Sequence, residues 1–141
     1  MRILSLDVGD ARIGAAFSDG LELGARPLLT VTRRGGLARD IEAVVTLAAK
    51  QEADAIVVGM PLSADGGEGR QAVKTRRFVN RLSIATPTPV YTWDESLTSV
   101  EAEERMLALD YSRDRRRQLR DQWAAAIILE SYLEANRCAC L

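Results

Sequence analysis

The chain has no histidine. That removes imidazole bases, imidazole metal ligands and every His-based triad from its chemistry. It has 2 cysteines, Cys138 and Cys140, both within the last four positions. Two thiols without histidine cannot close a structural zinc site, and their place at the end of the chain reads as reduced thiols on a frayed tail. Aromatic residues make up 5 % of the chain, so no stacking platform of the kind used by single-strand binders is apparent. No apolar run reaches the ~18 residues of a membrane span. The start shows no basic stretch followed by an apolar run and a small-residue cleavage site, so a cytoplasmic protein is expected. Neither sign of charge dominates. The net charge is −1 and the sequence pI about 5.6, which argues against a protein that coats nucleic acid electrostatically but allows a local basic surface.

The 141 residues are 47 % apolar and 28 % charged, as expected for a globular chain with a real core. Residues 2–8 and 12–18 read as paired strands around Gly9-Asp10, and 27–33 as a third strand. Leu37, Ile41, Val44, Val45 and Ala48 give residues 37–51 helical spacing. Ala55–Gly59 is a continuous apolar strand. Gly59, Pro61 and Ser63–Gly67 make a loop. Residues 69–83 read as a helix and Thr88–Thr92 as a short strand. Thr98 and Glu101 form a capping box that predicts a helix over 99–110. Tyr111–Arg117 reads as a polar, mobile loop, and Leu119–Ala135 as the last helix. This order predicts an α/β fold: a three-strand antiparallel meander plus two parallel strands joined by crossover helices. One domain over 1–137 and a tail over 138–141 are expected.

Three acids stand where acids are costly. Asp7 ends the apolar run Ile3–Leu6, Glu95 follows the extended Pro89–Asp94, and Asp121 opens an apolar helix. Buried carboxylates repel one another and lose hydration, so such a set requires a cation. Oxygen-only ligands favour Mg²⁺ or Mn²⁺. Each acid also has a plainer reading. Asp7 could belong to a turn-forming Asp-x-Gly, Glu95 could be an exposed residue before a helix with Asp94 as competing ligand, and Asp121 could be a first-turn acid favoured by the helix dipole. Asp121, Ala125, Ile128 and Tyr132 nevertheless share one helix face, and the opposite face with Trp123, Ala126 and Ile127 is also apolar. The expected cluster requires strands one, four and five to be neighbours.

Basic residues are candidates for holding phosphate. Arg70, Lys74, Arg77 and Arg81 form a stripe at i, i+4, i+7, i+11, opposite Ala72, Val79 and Leu82; a solvated helix face is the alternative. Arg113, Arg115, Arg116, Arg117 and Arg120 form a denser cluster just before Asp121. Arg12 is a candidate for contacting phosphate or pairing with a site acid. Gly9 permits close backbone approach of a phosphate. The loop Ser63–Gly69 is a candidate for donating backbone N–H groups to one, or a simple connection. Trp93 is either a base-stacking residue or part of the core.

Four motifs occur in order: Asp7-Val-Gly-Asp-Ala-Arg-Ile-Gly14; Val58-Gly-Met-Pro-Leu62 with Asp65-Gly66; Asp94-Glu-Ser-Leu-Thr98; and Asp121–Tyr132. Together they resemble the YqgF/RuvX family, described as Holliday junction resolvases and as pre-16S rRNA processing nucleases. The resemblance spans nearly the whole chain and implies an RNase H-like fold. It implies that Asp7, Glu95 and Asp121 are catalytic and metal-binding. Two divalent ions ~3.5–4 Å apart can hydrolyse a phosphodiester without histidine, Asp7 serving both, Glu95 one and Asp121 the other. Two departures stand out. Ser96 replaces the arginine that usually follows the glutamate. Gly59-Met60-Pro61 stands where resolvases of the RuvC type carry an acid after the fourth strand, so Glu95 must substitute from the neighbouring strand.

The resulting expectation is a metal-dependent endonuclease for structured RNA or branched DNA, with no membrane partner. A homodimer is a further expectation if two symmetric strands are cut. Two alternatives remain. Asp-x-Gly before a tight hairpin also opens sugar kinases and actin-like ATPases, but those enclose nucleotide between two lobes and this chain supplies one. A degenerate, non-catalytic nucleic-acid-binding assembly factor is the other.

Overall fold

A computed structural model describes residues 1–19, 24–61, 69–95 and 98–139, with the side chains of 98–99 and 137–139 left out. The elements follow the order β1 (Ile3–Val8), β2 (Arg12–Ser18), β3 (Arg26–Thr32), α1 (Leu37–Lys50), β4 (Ala55–Pro61), α2 (Arg70–Ala85), β5 (Val90–Glu95), α3 (Thr98–Ala108) and α4 (Arg113–Ala139). The five strands form one sheet in the order β3-β2-β1-β4-β5. β1, β2 and β3 pair antiparallel, and β4 runs parallel to both β1 and β5. The expected neighbours β1, β4 and β5 are therefore adjacent.

Strand alternation sorts the core into two layers. Leu4, Leu6 and Val8 face α1 and α2, packing with Val44, Leu47, Phe78 and Leu82. The odd positions of β1 face α4: Ile3 and Val57 pack on Ile128 and Leu129, and the Ser5 hydroxyl donates to the Ala125 carbonyl at 2.7 Å. Ala16 meets Ala125 and Ala126, so small residues let α4 lie close on β2. Arg105 pairs with Glu130 and Arg116 with Glu103, tying α3 to α4.

Several expected boundaries change, and β4 continues through Pro61, so Gly59 and Pro61 are strand rather than loop. Tyr111–Arg117 is not a loop, because α4 begins at Arg113. Ser112 caps it: its hydroxyl accepts from the Arg115 amide at 3.2 Å and its carbonyl from the Arg116 amide at 2.9 Å. Asp114 in the first turn suits the helix dipole, and arginine is a good helix former, so a polar run here extends the helix. Only a short turn separates the two helices, closed by Asp110 at φ 58° and by the Tyr111 amide on the Met106 carbonyl. The last strand is Val90–Glu95 rather than Thr88–Thr92, with Glu95 paired to Pro61. α4 runs through Ala139, beyond the expected end at Ala135. No helix is long and apolar enough to cross a membrane among the described residues.

Candidate metal and nucleic-acid site

The C-terminal ends of β1, β4 and β5 lie together, and Asp7 is at their centre. Asp7 pairs in register with Gly14 of β2 and faces α4, on the same side of the sheet as Ser5. A Cβ on Gly14 would overlap the Asp121 backbone, so the absent side chain is what seats α4 against the hairpin beside Asp7. Gly59 of β4 does the same on the other flank. A Cβ there would overlap Ile128 and stand 3.2 Å from Glu95 Cγ. Glu95 thus leans over Gly59, on the strand next to its own. Asp94 alternates to the opposite face from Glu95.

The carboxyl of Asp7 has its pKa raised from 3.8 to about 7. Burial is the main cause, followed by repulsion from Glu95 and then from Asp121. No hydrogen-bond donor or cation reaches the Asp7 carboxylate among the described residues. Asp121 is different: Arg12 Nε approaches its Oδ2 to 2.8 Å. Asp121 is also the ninth residue of α4 rather than its opening residue, so helix-end placement does not explain it.

Other residues hold the frame, and sequence reasoning missed them. Gln71 Nε2 donates to the Val8 carbonyl at 3.1 Å, clamping the end of β1. Gln122 Nε2 donates to Thr30 Oγ1 at 3.1 Å, fixing α4 across β3. Gln122 adjoins Asp121 inside the Asp121–Tyr132 motif, a signal that could have found it; Gln71 carries no local signal. The Gly9 amide donates to the Arg12 carbonyl at 2.8 Å, and a Cβ on Gly9 would crowd that oxygen at 2.9 Å.

The basic candidates divide. Arg70, Lys74, Arg77 and Arg81 are all exposed on α2. Lys74 pairs with Asp10 at 3.1 Å, and Arg81 lies about three turns beyond Arg70, away from Asp7. Arg113, Arg115 and Arg117 are exposed on the first turns of α4, with Arg115 stacked on Tyr111 at 4.5 Å. Arg116 is committed inward, donating to Glu103 and to the Tyr111 carbonyl, both at 2.9 Å. Arg120 stands 3.6 Å from the same glutamate. Trp93 is packed on α4, edge-on to Tyr132 at 5.6 Å and donating to Ser131 at 2.9 Å, which is the core role. Ser96 and residues 63–68 of the candidate phosphate loop lie outside the described residues.

Do these acids suit a divalent cation? Their donor atoms are all carboxylate oxygens, and the central one is buried beside two like charges with no internal counter-ion among the described residues. That combination fits Mg²⁺ or Mn²⁺. The arrangement is open rather than preassembled: no group of three or more potential ligands is drawn together around one point among the described residues.

Comparison with known proteins identifies the family. Residues 1–135 match the family model RuvX, described as Holliday junction resolvase. A Myxococcus xanthus protein named "Putative pre-16S rRNA nuclease" is 43 % identical over 137 residues, covering 97 % of this chain and 90 % of the relative. One of the same name from Halothermothrix orenii is 44 % identical over 133 residues, covering 94 % of each. Among solved structures, Thermus thermophilus RuvC in complex with a Holliday junction substrate superposes with a TM-score of 0.64 at 19 % identity, covering 96 % of each chain, a likeness of fold and specifically of the RNase H-like type. With its whole length but the last few residues matched, the chain belongs to the RuvX family.

Proposed function

We propose that this protein is a metal-dependent endonuclease that hydrolyses phosphodiester bonds in structured nucleic acid in the cytoplasm. Precursor 16S rRNA at its 5′ end and four-way DNA junctions are its candidate substrates, in keeping with the names of its relatives and family. One observation carries the reading: the buried Asp7 carboxyl, raised to about 7 by burial and by Glu95 and Asp121. A structure maintains such repulsion at a cost, and a bound cation would reverse it.

Asp7, Glu95 and Asp121 would hold Mg²⁺ or Mn²⁺, Asp7 from the central strand and the others from its two flanks. Two such ions would activate water and stabilise charge on the phosphate and the leaving oxygen. Gly9 keeps the hairpin free of side-chain bulk where a phosphate backbone would pass. Exposed Arg113, Arg115 and Arg117 of α4 and Arg70 at the start of α2 would attract the phosphates. If four-way junctions are the substrate, a homodimer would match their symmetry.

The test compares wild type and Asp7→Asn on a four-way junction and on an RNA with the precursor 5′ extension, in Mn²⁺, Mg²⁺ and EDTA. Cleavage lost both in the variant and in EDTA supports the reading, and the preferred substrate identifies the biology. Equal cleavage by both proteins would point to a contaminant and sink it.

A second reading, a non-catalytic binding factor, is favoured by the Arg12–Asp121 pair, which already neutralises one of the three acids. Calorimetric titration with Mn²⁺ separates the two, since a protein that never uses a metal should bind it weakly or not at all.

A further inference from the structure

A second basic feature lies on the face of the sheet away from α4. A cleft of about 460 Å³ opens between the end of β3, the start of α1 and the first half of α2. That volume falls in the ~300–1,000 Å³ range of ligand clefts. Its walls carry Arg33, Arg34, Lys74 and Arg77 against Asp10 and Asp40.

The charges are unequally committed. Arg33 is structural: it pairs with the buried Asp40 at 2.8 Å, donates to the Gly9 carbonyl at 2.6 Å and lies over the Phe78 ring. Lys74 is half committed, through an exposed pair with Asp10. Arg34 and Arg77 are exposed and have no acidic partner among the described residues. The cleft therefore has a rigid floor and two surplus guanidinium groups. The start of α1 adds donors. Its N-cap is Gly36, at φ 90°, which supplies no side-chain cap, and open space lies where its side chain would be.

This cleft is joined to Asp7 by the β1–β2 hairpin. Arg33 grips Gly9, two residues beyond Asp7, and Lys74 grips Asp10. We propose that the cleft is a second phosphate-binding site, in which Arg34, Arg77 and the start of α1 hold a backbone phosphodiester of the same nucleic acid whose scissile phosphate lies at Asp7. The strand would cross the hairpin, with one phosphate on the α4 side and another in the cleft. This inference rests on the nucleic-acid reading above; it takes Arg77 from the helical stripe and joins it to Arg34 and the start of α1, which neither the stripe nor the arginine cluster includes.

The test measures binding of fluorescent four-way junction and precursor RNA to the Asp7→Asn protein across a salt series, alone and with Arg34→Ala/Arg77→Ala added. A charge-matched control carries Arg26→Ala/Lys50→Ala at the opposite end of the sheet. The expected result is at least tenfold weaker binding and a salt slope shallower by about 1, for the one phosphate the cleft holds, with the control close to its parent. Equal effects in both double variants would overturn the site, because general charge would then explain them. An unchanged slope in the cleft variant would overturn it too, with the nuclease reading intact. Pyrophosphate is titrated on the same proteins, and loss of its binding without loss of polymer binding would show a free-anion site and also overturn it. If the Asp7→Asn parent binds neither polymer, both the nucleic-acid reading and this inference fail.

Discussion

Arg12 Nε lies 2.8 Å from Asp121 Oδ2, bridging the β1–β2 hairpin to the third turn of α4. The pair has two consequences. It anchors α4 beside Asp7, and it places a fixed positive charge on an acid that a metal would also claim. The two cations should compete. Arg12→Ala is expected to lower metal-free stability by about 0.5–1 kcal/mol, since the arginine is more than half exposed. The same change should tighten Mn²⁺ binding several-fold. Thermal melting and calorimetric titration read the two effects separately. Weaker Mn²⁺ binding in Arg12→Ala would show that the arginine organises the acid instead of competing for it.

Asp7 should make the metal-free protein less stable as pH rises. Its folded pKa of about 7 exceeds the ordinary 3.8, so the folded state holds the proton more tightly than the unfolded chain. The stabilising effect is full below about pH 4 and is lost as pH rises to 7. Asp7→Asn removes the charge and should be the more stable protein at pH 8, by up to about 4 kcal/mol, with the advantage vanishing near pH 4. Denaturant titration without metal, at both pH values, checks this. An Asp7→Asn protein no more stable than wild type at pH 8 would mean that the carboxylate is not strained. Mn²⁺ affinity of the wild type should likewise increase through pH 7.

Gly14→Ala tests the seat of α4. The new methyl would overlap backbone, which cannot rotate away, so a loss of about 3 kcal/mol is expected together with loss of cleavage. At Gly59 the first obstacle is the flexible end of Ile128, and Gly59→Ala should cost about half as much. A tolerated Gly14→Ala, seen as an unshifted melting temperature, would contradict the close packing of Asp121 on β2.

Arg116 and its neighbours should separate structure from binding. Arg116→Ala leaves the half-buried Glu103 poorly compensated and should destabilise the fold by about 1–2 kcal/mol. Arg113→Ala and Arg117→Ala remove exposed charges. They should leave the melting temperature within about a degree and weaken nucleic-acid binding at low salt. Stability losses equal across all three variants would contradict this division.

The sequence by itself determined the alternation of elements, because strand and helix periods are written in spacings of two to four residues. It also narrowed the chemistry to be expected: there is no histidine, and the three acids Asp7, Glu95 and Asp121 offer oxygen ligands. Helix ends were less legible: Ser112 is a cap by type, yet five arginines in eight positions resemble a solvated loop as much as the first turns of a helix.

What only the tertiary structure decided rests on contacts between distant parts of the chain. The pairing of Arg12 with Asp121 spans 109 positions, and Arg33 and Arg34 meet α2 from about 40 positions away. Which glycines matter also depends on packing. Gly14 and Gly59 look like ordinary strand residues until α4 and Glu95 occupy the space their side chains would fill. The physical reason is range: backbone propensity and amphipathic pattern act along a few residues, whereas register, helix docking and charge neutralisation are properties of surfaces brought together by folding.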